Sequence, residues 1–362
     1  GEGTVLRTVL HDSGDVEHAV VRVARHRWLL WRPSTGVAGV TAGPPRDELR
    51  VDVPVSSRRW GSRRVGEGLV AATSPWAAYR WGPHALHGHT LTTLPVPGRF
   101  DTKAPAPHPI GLVGTNPSRR VGGGTELAGI RPFRPGDRLR RLHWPVSLRT
   151  GTLHVTSTLA EEDSSILLVV DAGVSVGGGG GLDEPAGSLD VAVRAAGAVA
   201  EHYLHRGDRV GLRVLGSTER NAVHTSTGRR HLLRILDTLA RIVPGETRSA
   251  DPSRIHFGVS GGTVVIMLSP MLSDQAVTAT LTLARQGLSV IVVDTLPDDA
   301  YLAEKDRRVL LAWRMRLLER EALLSRVQLS GTPVVAWRGP GTLDEVLRRL
   351  GRRASLPRLV GR

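Results

Sequence analysis

The chain has 362 residues, 40% of them apolar, which is enough for two domains of ordinary size with buried cores. It contains no Cys, which excludes disulfides, thiolate metal sites and a thiol nucleophile, and its few aromatic residues are eight Trp, three Tyr and three Phe. The formal net charge of +14, carried mostly by Arg, favours acidic partners. Its basic pairs (Arg58-Arg59, Arg63-Arg64, Arg119-Arg120, Arg140-Arg141, Arg229-Arg230) are spread along the whole chain, with no recognition-helix or RNA-binding aromatic pattern beside them.

Residues 1–104 read as an antiparallel β-sandwich domain. Short apolar stretches such as 19–23 and 49–53 alternate with turn clusters at 12–15 and 43–45, and no run there repeats with a 3.6-residue period. Pro95, Pro97, Pro105, Pro107 and Pro109 lead into a Pro/Arg-rich connector assigned to residues 105–160. Residues 161–352 change character. Ile166 to Val170 is a continuous apolar strand. Ser188 caps a helix with Leu189, Val193, Ala196, Val199 and Tyr203 on one face, and Gly207 ends it. A strand at 209–215, an edge strand at 220–224 and a periodic helix at 230–242 follow. Buried strands at 263–268 and 289–293 flank a helix at 274–286. A helix at 307–329, a strand at 333–337 and a closing helix at 343–350 complete the domain, and 353–362 is a basic tail. Strands alternating with helices predict an α/β fold with a doubly wound, mostly parallel sheet. No apolar run approaches the roughly 18 to 20 residues of a membrane span, and the opening Gly1-Glu2-Gly3 has no signal-peptide character.

In a doubly wound sheet, ligands sit beyond the carboxyl ends of the strands. With the 166–170 strand central, Asp171 and Ser269 face each other there. Asp171-Ala172-Gly173-Val174-Ser175 follows that strand. Oxygen ligands at alternate positions of a loop converge on a hard cation, Mg2+ or Mn2+. The same Asp equally serves to hold the adjacent backbone by hydrogen bonds, and both readings stand on the sequence. The loop resembles the metal-ion-dependent adhesion site of von Willebrand factor A-like domains, which reads D-x-S-x-S. Asp171 and Ser175 match its first and third positions, Gly173 replaces the middle Ser, and Ser269 stands where that family has a later Asp. The resemblance thus implies a degenerate metal site on Asp171, Ser175 and Ser269. Asp274, the nearest carboxylate after Ser269, reads as a helix cap.

A second set of residues precedes this strand: Gly122, Gly124, Glu126, Gly129, Arg131, Pro135-Gly136-Asp137, Arg141, Trp144 and Arg149. Pro135-Gly136-Asp137 is turn chemistry, because Pro fixes φ, Gly permits positive φ and Asp bonds its own backbone. Glu126, Arg131, Asp137, Arg141 and Arg149 have the charges for an ion-pair network under Trp144. Such a network either joins domains or forms an Arg-rich surface for an acidic peptide. These residues in this register resemble the signature of the bacterial "domain of unknown function 58" family, with His143 where Asp or Asn is frequent. The likeness runs over about 112–300. It implies a MoxR-type AAA+ ATPase as partner, and a cytoplasmic place at the inner face of the membrane, tethered by a segment upstream of Gly1.

The remaining signals are plainer. Gly177 to Gly181 lack a following Gly-Lys-Ser/Thr and read as a loop beside Asp171, not a phosphate cradle. Arg206-Gly207-Asp208 sits at a helix end, where Gly is expected. His84, His87 and His89 read as surface histidines, since an extended segment splits them between faces. There is no Ser/His/Asp order, no paired-carboxylate spacing and no H-E-x-x-H. The sequence reading is therefore a non-enzymatic protein–protein interaction module, an adaptor acting through the strand-end face near Asp171. The alternatives are a basic binder of nucleic acid or an anionic membrane surface and a metal-dependent hydrolase.

Overall fold

A computed structural model describes residues 3–42, 47–98, 100, 117–134, 137–161, 165–178, 185–216, 222–245, 257, 263–298, 300, 306–339, 341–344 and 346–348. The N-terminal part is all β: β1 (Gly3–His11), β2 (His18–Val23), β3 (Leu29–Trp31), β4 (Val37–Thr41), β5 (Glu48–Ser57), β6 (Gly61–Val65), β7 (Gly68–Thr73), β8 (Arg80–Leu86) and β9 (His89–Thr93). They form antiparallel sheets in the orders β1-β5-β3, β4-β2-β7-β8 and β6-β9. In β2 and β5 every second residue is buried, as the period of two requires when one face meets a core and the other meets water. That core joins the sheets through Val21, Trp31, Val53, Val65 and Ala72. His84, His87 and His89 are exposed.

The stretch expected as an irregular connector holds regular structure. Residues 105–116 lie outside the described ones, and after them β10 (Pro117–Pro132) pairs antiparallel with β11 (His154–Glu161), with a short helix α1 (Trp144–Thr150) between them. The register shifts between Gly122 and Leu127 and again before Gly129. Glycine weakens a strand and marks irregular pairing, so the run at Gly122–Gly124 hides this strand from a propensity reading.

The C-terminal part comprises β12 (Ser165–Asp171), α2 (Ser188–His205), β13 (Arg209–Leu215), β14 (Ala222–Ser226), α3 (Arg229–Ala240), β15 (Thr263–Ser269), α4 (Asp274–Arg285), β16 (Ser289–Asp294), α5 (Arg307–Leu329) and β17 (Val334–Ala336). Of the expected closing helix, residues 344 and 346–348 are helical. The sheet order is β14-β13-β12-β15-β16-β17, parallel throughout except for the edge strand β14. β12 is central, flanked by β13 and β15. Its residues alternate between two cores. Ile166, Leu168 and Val170 pack with α2 and α3 residues such as Val193, Val199, Tyr203 and Ile235. Leu167 and Val169 pack with α4 and α5 residues such as Ala276, Val277, Leu283 and Val327. Cover on both faces explains why β12 and β15 read as unbroken apolar runs. Each such side chain contributes roughly 1.5–3 kcal/mol on burial.

Two caps differ from the sequence reading. Gly187, not Ser188, is the N-cap of α2, and the Asp190 carboxylate accepts from Gly187 N at 3.2 Å. Ser188 instead ties the loop after β12, its hydroxyl accepting from Val176 N at 2.9 Å and its own N donating to Val176 O at 2.7 Å. Ser273 caps α4, accepting from Ala276 N, and Asp274 is the first helical residue. The β part is anchored to α2 as well. Arg59 and Trp60 both donate to the buried Asp190 carboxylate, Trp60 Nε1 at 2.8 Å.

Candidate functional site

β12 delivers Asp171 to the carboxyl end of the sheet's centre, where the side chain is 1% exposed. Its Oδ1 accepts from Gly173 N at 3.0 Å, a turn in which Asp bonds the backbone two residues on. Its Oδ2 accepts from the Ser269 hydroxyl at 2.7 Å and from the Ser273 hydroxyl at 3.0 Å. The expected meeting of Asp171 and Ser269 across the sheet is thus present. Ser273, which the sequence reading passed over, joins them because the cap of α4 lies beside the end of β15. Burial pushes the Asp171 carboxyl above the ordinary carboxylate range, against the three hydrogen bonds that pull it down. Ser175 is exposed, whereas Asp171 and Ser269 are buried.

The next strand end is closed by α5. Asp294, at the end of β16, accepts from Leu296 N at 3.0 Å and pairs with the buried Arg320 guanidinium. Arg320 Nε also donates to Pro270 O at 2.6 Å, and Arg316, one turn earlier, donates to Leu272 O. Between these carbonyls the buried Met271 adopts φ 52°, with its N donating to the Ser269 hydroxyl at 2.8 Å. The segment from Ser269 to Ser273 is therefore gripped from both sides, by Asp171 on β12 and by two arginines on α5. The glycine loop is packed where it is described: a Cβ on Gly178 would stand 2.3 Å from Pro185 O. Gly179, Gly180 and Gly181 lie outside the described residues. Gly207 ends α2 with φ 87°, and Asp208 beside it is buried.

The signature segment is built differently. Arg131 on β10 makes a two-pronged pair with Asp137, at 2.7 and 2.6 Å, and Asp137 also accepts from Arg134 N at 2.8 Å. These bonds hold the Asp137 carboxyl down at about 2. Pro135 and Gly136 and the Glu126 side chain lie outside the described residues. His143, the departure from the family pattern, is the N-cap of α1: its ring Nδ1 accepts from Val146 N at 3.3 Å. An imidazole there performs the task that favours Asp or Asn at this position. Ser147 fastens the helix to β11, its hydroxyl donating to His143 O and accepting from His154 N, both at 2.9 Å.

Ser147 is the one buried residue of α1. Trp144 is 58% and Leu148 80% exposed, and one helical turn separates them, so they share an outward face. Leu139, just before the helix, is 68% exposed. Arg138, Arg140 and Arg149 are exposed beside these apolar side chains.

Comparison with known proteins adds the following. The family model "Protein of unknown function DUF58" matches residues 129–309. Uncharacterized proteins of Mycobacterium bovis and Mycobacterium tuberculosis are 34% identical to the chain over 119 residues, 33% of this chain. The match spans 37% of the length of those curated relatives. A solved structure of an aerotolerance-related membrane protein from Bacteroides fragilis, carrying multiple mutations to serines, is 15% identical. It covers 53% of this chain and 98% of its own, with a TM-score of 0.32. Among the described residues no helix is long and apolar enough to cross a membrane.

Proposed function

Since the chain belongs to the DUF58 family of proteins of unknown function, we propose a role for it that its geometry supports: a non-enzymatic protein–protein interaction module. The observation that carries this reading is the outward face of α1. Trp144 and Leu148 sit exposed among arginines, inside the stretch that bears the family signature. Trp and Arg are the residue types that carry most binding energy at protein interfaces, and large exposed apolar side chains beside polar ones mark such surfaces. The partner we infer has an acidic rim around an apolar pocket. From the resemblance of the signature, that partner is a MoxR-type AAA+ ATPase, with this chain as its adaptor in assembling or remodelling proteins.

In this reading the C-terminal part is a von Willebrand factor A-like, doubly wound domain whose metal loop has become a scaffold. A central β12, helices on both faces and Asp171 at the strand end support that assignment. The donor set does not fit a hard divalent cation. Asp171 is a single, buried carboxylate whose two oxygens already accept three hydrogen bonds, and Gly173 brings no side chain. The Ser269–Asp171 pair does not make a hydrolase either, because Ser269 is fully buried and cannot meet a substrate. The docking surface is accordingly assigned to the signature segment, and the Asp171 strand end holds the loops in place.

The test is a calorimetric titration of the chain with the MoxR-type ATPase of the same organism, in Mg2+ and in chelator. The expected result is binding that Trp144→Ala with Leu148→Ala weakens about a hundredfold, two hot-spot truncations of about 1.4 kcal/mol each, and that chelation leaves unchanged. Binding that persists in the double variant but vanishes in Asp171→Ala would return the interface to the strand end. Binding to DNA instead, falling steeply with salt, would favour the charge-driven alternative.

A further inference from the structure

The turn between β7 and β8 carries the most exposed large hydrophobic residue among the described residues. Trp76 is 97% exposed, and Tyr79 and Trp81 follow it at 72% and 39%. The turn is a stiff frame. Ser74 is buried, its N donates to Tyr79 O at 3.0 Å, and its hydroxyl accepts from Tyr79 N at 2.9 Å. Within the frame Ala77 N donates to Ser74 O at 3.0 Å. Trp76 and Ala77 both lie in the left-handed region, at φ 61° and φ 54°. Glycine would take that bend without strain. The chain places its bulkiest residue type there instead and directs it away from its own core. Strained positions of this kind cluster at sites of function.

The surroundings state what would cover this tip. From Gly68 to Phe100 the sequence has no Asp or Glu, although the chain holds 34 of them, and the segment's charge comes from Arg80 and Arg99. Arg80 brings a positive charge to the foot of the turn, and the acidic residue that borders β7 there is Glu17, whose N donates to Thr73 O at 2.9 Å. A protein hot spot needs a ring of packed neighbours that excludes water, and the residues that flank Trp76 in the chain, Pro75, Ala77 and Ala78, are small. A bilayer interface needs no such ring: indole and phenol rings settle at headgroup depth with the apolar part inward and the polar edge wet.

We propose that the β7–β8 turn is a lipid-surface anchor. Trp76, with Tyr79 and Trp81, enters the interfacial layer of an anionic bilayer, and Arg80 meets the lipid phosphates. This proposal is independent of the α1 interface.

The experiment is flotation of the whole chain with vesicles of phosphatidylcholine containing phosphatidylglycerol, and with vesicles of phosphatidylcholine alone. Wild type is expected on the mixed vesicles and in solution with the neutral ones, with its tryptophan emission shifted to the blue when bound. Trp76→Ala and Trp76→Gly are expected to lower partitioning about tenfold or more, the loss of one buried indole, and Trp76→Phe to reduce the blue shift while Trp81 retains part of it. Trp76→Gly is also expected to raise Tm, because glycine relieves the bend, so loss of binding is separated from loss of fold. Equal partitioning of wild type and a folded Trp76→Gly, or no partitioning of wild type, would overturn the anchor and assign the tip to a protein partner.

Discussion

Two regions of this molecule invite opposite readings. The strand end at Asp171 has the residue types of chemistry, a carboxylate and two serines, yet every one of those groups is spent inside the fold. The outer face of α1 has ordinary residue types, a tryptophan and a leucine, yet they are turned to solvent in a helix where Ser147 alone is buried. Polar residues gathered at a strand end are a candidate site only while an oxygen or a proton stays accessible. Apolar residues matter when the fold leaves them uncovered. Here the polar cluster stabilises and the apolar face is available to bind.

The contrast can be broken by substitution, and the largest expected effect is at the scaffold. Arg320→Ala leaves the Asp294 carboxylate and Pro270 O without their buried partner. Unpairing a buried charge costs about 3 kcal/mol, read as a lower urea midpoint with unchanged slope. A change below about 0.5 kcal/mol would mean that α5 does not hold the loop. Asp171→Ala strands two serine hydroxyls and an N–H, costing about 2 kcal/mol. In our reading Mg2+ leaves both proteins unaffected, and a Mg2+-dependent rise in Tm of wild type alone would restore the metal site. Asp171 also carries a pH signature. Its pKa is raised in the folded state, so its contribution is fully present below the ordinary carboxylate value and is lost as pH rises from there through the folded value. Asp171→Asn should flatten that part of the stability–pH curve. The smallest effect belongs to α1: Leu148→Ser should move stability by no more than about 0.5 kcal/mol. A larger loss would show that the leucine is a packing residue, and the comparison would collapse.

Much of the fold was legible. Unbroken apolar runs located β12 and β15, short apolar stretches between turn clusters marked the N-terminal part as β, and the helix expected at 307–329 is α5 with those bounds. The juxtaposition of Asp171 and Ser269 followed from a parallel sheet with β12 at its centre. The misses have specific causes. β10 escaped because its glycines carry no strand preference and its pairing is irregular. Ser273 escaped because one hydroxyl caps α4 and donates to Asp171 at once, and only the second bond is tertiary. Arg320 escaped because nothing in a helix of many arginines distinguishes the one that turns inward. The neighbouring Ser-Asp at 273–274 was a usable cap signal, and it was assigned to the wrong member.

The sequence by itself determined the order of elements in the C-terminal part, the two-faced burial of the central sheet and the family signature, because these rest on periodicity and on residues near one another in the chain. The tertiary structure decided accessibility. Whether Asp171 is a ligand or a brace, and whether Trp144 and Trp76 are core or surface, depends on what other segments bring within a few ångströms. Residues 98 and 102 positions away supply the hydroxyls that satisfy Asp171. Local pattern records what a side chain is able to do, and packing settles which of those capacities remains open.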